Sequence, residues 1–448
     1  MFKSEYLNAV FNKTQSNSLH EPEYLQVVYE MFHSIDEIIE QYPNYIKTNL
    51  IERLVEPERI IQFRVAWMNQ KGEIEVNKGY RVQHSSALGV YKGGIRFHPS
   101  VNLSIMKFLA FEQTFKNALT TLPMGGGKGG ADFNPKGRSD EDIMRFCQAY
   151  MSELYHYIGN DFDIPAGDIG VSQKEVGYMY GYYKKLSQEF NSSFTGKHPV
   201  YGGSFGRKEA TGFGLIYFTE ELLATIFQTD FNGKNVIISG SGNVGSYAAI
   251  KVKEKGAKIL AMSDASGFVY NPNGINPEWV KQVKEIEKLD ISHYLKYDKE
   301  STFNKDPKGM WKVKCDIAFP CATQNELNEE SCQELIKNGV MLVAEGANMP
   351  TTKEGVELLR KHHVIFAPGK AANAGGVTVS GLEISQNHQF IQYPVSKVDE
   401  ILCEIMRKIF HDIHQTSILY NKPNDLLFGA NIYSFLKVAQ ATFEQGII

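Results

Sequence analysis

"NVIISGSGNVGSYAAI", residues 235–250, joins a short apolar run to a helical pattern through Gly240, Gly242 and Gly245 in GxGxxG spacing. Strand, glycines, then helix is the order a dinucleotide-binding turn needs. The first glycine makes the turn, the second leaves room for a pyrophosphate, and the third lets helix and strand pack closely. The phosphates then meet the unpaired N–H groups of the helix N-terminus. Further along, "KILAMSD", "CDIAFP", "VMLVAEGA" and "VIFAPG" are apolar runs separated by helix-length segments. Strands alternating with helices predict right-handed parallel crossovers, hence a doubly wound, Rossmann-like sheet. The excursion "SHYLKYDKESTFNKDPKGM" is expected on the surface.

Asp264 ends "KILAMSD", 19 residues after Gly245. An acid there meets the adenosine ribose, and by the generic rule it favours NAD. A nicotinamide cofactor implies hydride transfer, so the first half of the chain is expected to supply a substrate pocket and an acid–base group.

That half reads differently. "EPEYLQVVYEMFHSIDEIIEQ" (residues 21–41) has the three- and four-residue spacing of an amphipathic helix. "IIQFRVAW" and "EIEVNKGYRVQHSS", split by "MNQKG", predict an antiparallel pair. Helices are predicted at about 103–119, 140–158 and 173–185, with a strand in "DFDIPAGDIG". The rhythm changes after "NSSFTGKHPVYGGSFGRKEATG", placing a domain boundary near residues 197–203. The fold class is therefore α/β in two domains, a substrate-binding α/β domain over 1–200 and a dinucleotide-binding domain over 201–424.

"TLPMGGGKGGADF" (residues 121–133) sets five glycines around Lys128. It is not a phosphate loop, because Leu122 and Gly129 stand where that pattern needs a glycine and a Ser or Thr. Glycines permit positive φ and close approach, so this loop is expected to admit a partner to its backbone. Gln113 and Lys116, three apart on a predicted helix, share a face and could grip one carboxylate, or could simply face solvent. Lys92, in "ALGVYKGGIRFHPS", is a further cation beside flexible backbone. Lys92, Lys116 and Lys128 together would suit a small dianion and would lower one another's pKa. Asp168, between Gly167 and Ile169, fits a proton carrier or a helix N-cap equally well.

With 47 basic and 51 acidic residues in 448, the net charge of −4 gives no general reason to bind nucleic acid or an anionic membrane. The five cysteines show no CxxC pair and no metal-ligand spacing, so they read as reduced core thiols and no metal site is expected. No apolar run is long enough to cross a bilayer. The expected location is the cytoplasm.

The stretches "YKGGIRFHPSVN", "FEQTFKNALTTLPMGGGKGGADFNPKGRS", "PAGDIGV", "GGSFGRKEATGFG", "CATQNEL", "AEGANMPTT" and "FAPGKAANAGGV" together resemble the glutamate dehydrogenase family in its small hexameric form. The similarity runs from about residue 21 to the C-terminal "GANIYSFLKVAQATFEQGII". The resemblance implies reversible oxidative deamination of L-glutamate to 2-oxoglutarate and ammonia. In it Lys128 is the base that activates water, and Asp168 exchanges protons with the amino group. Gln113, Lys116 and the Gly167 backbone would hold the α-carboxylate, and Lys92 with Ser380 the γ-carboxylate. Thr211 and Asn243 would touch the cofactor. It implies NADP despite Asp264, because "SDASG" resembles a stretch found with NADP. Ser263 with Lys281, Lys284 or Lys288 would then receive the 2′-phosphate, with NAD as the alternative. It also implies a homohexamer, a return of 425–448 to the first domain, and an active site in a cleft closed by hinge motion. An amino-acid dehydrogenase for an apolar substrate would not need Lys92 or Ser380. A non-catalytic nucleotide sensor could dispense with Lys128 and Asp168.

Overall fold

A computed structural model of the chain describes residues 1–190 and 192–447. Asn191, in the stretch before the expected boundary, and Ile448, the last residue of the expected C-terminal return, lie outside the described residues. The chain divides into two compact units, Met1–Phe205 with Ser380–Pro394 and Asn431–Ile448, and Gly206–Val379 with Val395–Ala430. The segment Ser380–Pro394, read above as part of the dinucleotide-binding domain, joins the first unit for a clear reason. Glu383 accepts hydrogen bonds from the Gly196 and Lys197 amides, and Gln386 donates to Ser204 Oγ.

The first unit is built on a five-stranded sheet of β1 (Arg59–Met68), β2 (Ile74–Ser85), β3 (Tyr91–Phe97), β4 (Gly126–Ala131) and β5 (Asp163–Gly167), ordered β1-β2-β4-β3-β5. β1 and β2 form the predicted antiparallel hairpin, from Arg59 opposite Gln83 to Met68 opposite Ile74. β4 runs antiparallel to β2 and parallel to β3, and β3 is parallel to β5. The helix Leu103–Leu119, capped by Asn102 through the Ile105 amide, covers one face against Tyr80 and Val82. The helices Asp140–Leu154 and Gln173–Ser187 cover the other with an aromatic cluster around Phe97, Phe133, Phe146 and Tyr150. The helix predicted over 21–41 is shorter, Pro22–Ile35. Just beyond its end the Asp36 carboxylate turns aside to accept the Lys3 and Ser4 amides.

Two expectations for this unit are corrected. "GGKGGA" is a buried strand and not a loop, and none of the five glycines from Gly125 to Gly130 takes positive φ. "YKGGIRF" is likewise a buried strand inside the sheet. Their glycines answer to packing. A Cβ on Gly126 would overlap Thr114, one on Gly93 would overlap the Gly127 carbonyl, and one on Gly94 would lie 2.9 Å from Asp168 Cβ.

The second unit carries β6 (Asn235–Ile238), β7 (Lys258–Asp264), β8 (Gly267–Tyr270), β9 (Thr302–Asn304), β10 (Ile317–Phe319), β11 (Leu342–Ala344) and β12 (Ile365–Ala367). Their order is β12-β11-β10-β6-β7-β8-β9, parallel as far as β7, with β8 and β9 added antiparallel. All five predicted strands are present in parallel array. The order reverses between β6 and β10, the switch point at which such sheets bind ligands. The supposed surface excursion contributes the edge strand β9 and buries Tyr294 and Met310 completely. Its apolar residues are too widely spaced to give a periodic signal.

Two glycines should respond oppositely to alanine. Gly93→Ala forces a methyl group into the neighbouring strand and should destabilise by about 1–3 kcal/mol or more. Gly181→Ala, inside the helix Gln173–Ser187 with open space around it, should stabilise by about 0.5–1 kcal/mol. Thermal melting of the two variants checks the signs.

Candidate active site

Lys128 stands in the middle of β4, 5% exposed, with its side chain on the face covered by Leu103–Leu119, since it pairs with Val82. Its ammonium lies 3.1 Å from Asp168 Oδ1, where the chain leaves β5. Asp168 Oδ2 accepts from Arg96 Nε on β3 at 2.6 Å. Three adjacent strands thus deliver two cations and one anion to a single point.

The electrostatics follow from this placement. Burial drives the Lys128 pKa below its usual 10.5, and Arg96 and Arg81 add to that, while Asp168 opposes it. Burial alone would raise Asp168, but the Lys128 and Arg96 charges outweigh it and hold the carboxyl at about 2. Two arginines, Arg96 and Arg81, are thus cations that press on Lys128. Nothing in the sequence marked Arg96, since one arginine in an apolar strand has no distinctive spacing.

The other expected substrate residues lie in the same unit. Lys92 on β3 is 1% exposed and donates to the Ile164 carbonyl at 3.0 Å. Gln113 lies over β3, its Cγ 3.3 Å from where a Gly93 Cβ would stand, and its amide bonds Asn117 Oδ1 at 2.7 Å. Asn117, not anticipated, donates to the carbonyls of Lys92 at 3.1 Å and Gly125 at 2.5 Å, tying the helix to both lysine-bearing strands. Lys116 is half-buried on the same helix. Gly167 ends β5, and a Cβ there would reach the Val171 carbonyl. Ser380 is buried on the helix Gly375–His388, and Gly381 beside it lies tightly against Leu122 and Met124, just before β4.

In the second unit the glycine turn has the geometry a dinucleotide needs. Gly240 takes φ +72°, a Cβ on Gly245 would overlap the Gly240 carbonyl, and around Gly242 there is open space. The helix Asn243–Glu254 starts there with no side-chain cap, its first residue Asn243 exposed. The buried Ser241 hydroxyl has no partner. These observations fit a bound pyrophosphate. Thr211, in the first turn of the helix Ala210–Leu222, places its hydroxyl against Gly376.

At the expected ribose end, Ser263 and Asp264 both make contacts within the chain. Ser263 is buried, and its hydroxyl accepts from the Gly240 amide at 3.3 Å, so it supports the turn itself. Asp264 accepts from Lys284 at 2.5 Å, the Ile291 amide at 2.8 Å, and the Ser266 amide and hydroxyl. Lys281 lies over the Tyr247 ring and Lys288 is exposed at φ +59°, so Lys284 alone of the three meets Asp264. Glu345, in "AEGANMPTT", was also missed. Burial raises its carboxyl to about 7, and it accepts the Thr351 and Gly369 amides beyond β11 and β12.

The glutamate/leucine/phenylalanine/valine dehydrogenase family model matches residues 202–446, and the model of that family's dimerisation domain matches residues 57–185. The chain belongs to that family. It is 51% identical to an NADP-specific glutamate dehydrogenase of Haemophilus influenzae, over 100% of both chains. It is also 51% identical to an NAD-specific glutamate dehydrogenase of Bacteroides fragilis, over 99% of this chain and 100% of that one. The crystal structure of Plasmodium falciparum glutamate dehydrogenase superposes with a TM-score of 0.94 at 47% identity, covering 99% of this chain and 95% of the other. Within the family, this chain pairs its strand lysine with a carboxylate that is held in turn by an arginine.

Asp168→Asn tests that pairing. It removes the one anion that favours the Lys128 ammonium, so the Lys128 pKa should fall further. Carbamylation of Lys128 by cyanate, followed by peptide mapping, should then begin at lower pH than in the wild type. An unchanged or higher onset would contradict the assignment.

Proposed function

We propose that the chain is an NADP-dependent glutamate dehydrogenase that interconverts L-glutamate with 2-oxoglutarate and ammonia. The observation that carries this reading is the Lys128–Asp168 contact, set in the same unit as a second buried cation, Lys92, and the buried Ser380 hydroxyl. End-to-end identity to glutamate dehydrogenases supports it.

In this reading Lys92 and Ser380 hold the γ-carboxylate, while Gln113, Lys116 and the Gly167 backbone hold the α-carboxylate. NADP, when bound, would supply the acceptor for the hydride of the α-carbon, and the substrate would become an iminium. Lys128 in its neutral form takes a proton from water, which attacks that carbon. Asp168, an anion 3.1 Å from the Lys128 ammonium, relays the proton that Lys128 has taken from water to the departing amino group. Because the Lys128 pKa is depressed, its neutral form is present at lower pH than for an ordinary lysine, and deamination rises as pH climbs through that value.

Gly240, Gly242, Asn243 and Gly245 would hold the pyrophosphate, with Thr211 also on the cofactor side. Ser263 would act by supporting the turn. The Lys284 charge on Asp264 favours NADP, because it offsets the carboxylate that would repel a 2′-phosphate. NAD is the alternative, and relatives of both names are equally identical. A homohexamer fits the match to the dimerisation domain and the exposed Ile60, Met68, Ile74 and Val76 on the edge hairpin. The reading includes the cytoplasm as location. No described helix is long and apolar enough to cross a membrane.

Glutamate-dependent reduction of each nicotinamide nucleotide tests the reading, with NADP expected to be the faster and absence of turnover with both rejecting it. Lys128→Ala and Asp168→Asn should each cut turnover by about a hundred- to ten-thousand-fold while nucleotide binding persists.

Substrate choice is a separate test. Glutamate should exceed norvaline by at least about a thousandfold, because norvaline sets a methyl group against the buried Lys92 ammonium in place of a counter-charge. Lys92→Leu with Ser380→Val should narrow or reverse that ratio. Full retention would place the γ-carboxylate elsewhere.

A further inference from the structure

The side chains of β4 alternate, so Gly126, Lys128 and Gly130 face the helix Leu103–Leu119, and Gly127 and Gly129 face the opposite layer. The space behind them is filled by Arg81 of β2, which is wholly buried. A Cβ on Gly127 would lie 3.4 Å from Arg81 Nη2, and one on Gly129 would lie 3.3 Å from Arg81 Cδ. Beyond β4 the guanidinium donates through Nη1 to the Gly93 carbonyl of β3 at 3.0 Å. Through Nε it donates to Asp163 Oδ2 of β5 at 2.8 Å, and Nη2 also bonds that carboxylate. Gln83 anchors Asp163 from the side, at 2.9 Å, and bonds the Tyr157 carbonyl. One side chain therefore starts on β2, passes behind the strand of Lys128, and grips the strands of Lys92 and Asp168.

We infer that Arg81, locked by Asp163, is a positioning residue for Lys128, fixing the distance between its strand and those of Lys92 and Asp168. The inference rests on the catalytic role proposed above for Lys128. A Cβ at 127 or 129 would meet the Val82 or Tyr80 carbonyl at 3.1 Å and then Arg81, so glycine on both sides of the lysine lets β4 lie close to β2 and to the Arg81 side chain. The fork matters as well as the charge, since only a planar guanidinium bonds Gly93 and both Asp163 oxygens together. The Arg81 charge also lowers the Lys128 pKa, alongside Arg96 on β3 and against Asp168 beyond β5. Lys78 on β2, Lys92 on β3, and Lys107 and Lys116 on the covering helix are the other lysines of these elements.

A buried ion pair can often be exchanged for apolar residues without loss of fold, so the role can be separated from stability. Arg81→Lys keeps the charge and loses the fork. In folded enzyme it should lower kcat for glutamate oxidation about ten- to a hundredfold while KM moves little. Arg81→Met combined with Asp163→Leu removes both charges. There the pH midpoint for competitive acetylation of Lys128, read by mass spectrometry, should rise. Melting curves establish that each variant is folded. Should the double variant not fold, Gln83→Leu, which strips one donor from Asp163, should lower kcat in the same direction by a smaller factor.

Folded variants with the kcat and the Lys128 acetylation midpoint of the wild type would overturn the inference and leave the pair a core contact only. A wild-type enzyme without glutamate-dependent activity would reject the proposed function instead. The acetylation midpoint would still decide the placement of Lys128, a rise supporting it and no change overturning it.

Discussion

A lysine ammonium at 5% exposure is the constraint around which the first unit is arranged. Removing such a charge from water costs several kcal/mol unless a counter-charge and hydrogen bonds replace the solvent. Asp168 supplies the counter-charge, and Arg96 prevents that carboxylate from swinging away. With two cations and one anion the group keeps an excess of one positive charge, which suits an incoming carboxylate. The compensation is incomplete in its effect on Lys128. Burial and two arginines still hold its pKa below the ordinary value. A fully compensated lysine would stay protonated, so the role proposed for Lys128 as a base depends on this imbalance.

The strand that carries Lys128 is nearly all glycine because it is squeezed from both faces. Thr114 and Met106 lie against one side, and Arg81 and Tyr150 against the other. The glycines of the second unit serve a different purpose. Gly240 is needed for its left-handed φ, Gly245 for contact between helix and turn, and Gly242 for the emptiness beside it. Conformational freedom explains one of these positions, and absence of a side chain explains the rest.

This difference decides what the sequence reveals. The second unit was legible because each of its five parallel strands is an apolar run bounded by helical patterns, and the GxGxxG spacing has a local meaning. The lysine segment was read as a loop because glycine is a poor strand former, and what makes it a strand lies on β2, β3 and a helix distant in sequence. "YRVQ" on β2 shows the same limit. Its alternation correctly puts Tyr80 and Val82 on one face, but the polar Arg81 and Gln83 were not recognisable as a second buried face. They are buried because Asp163, some 80 residues later, completes their hydrogen bonds. Asn117 and Arg96 carry no local signal for the same reason, while Lys128 and Asp168 stand out in the sequence because their glycine-rich surroundings are unusual.

Asp264 shows why a residue type at the right spacing does not determine recognition. The ribose rule treats the acid as a free acceptor, yet both its oxygens are engaged, by a lysine, a serine and two backbone amides. Those donors lower its pKa against the effect of burial, so it remains an anion, but one whose field is largely cancelled at short range. An acid held in this way ties Ser266 and Ile291, the two ends of the segment that follows β7, to the strand end and holds Lys284 beside it. The acid and the lysine therefore act as a unit. What a nucleotide meets at the end of β7 is set by how that pair is shared, and the identity of the residue at position 264 alone does not settle it.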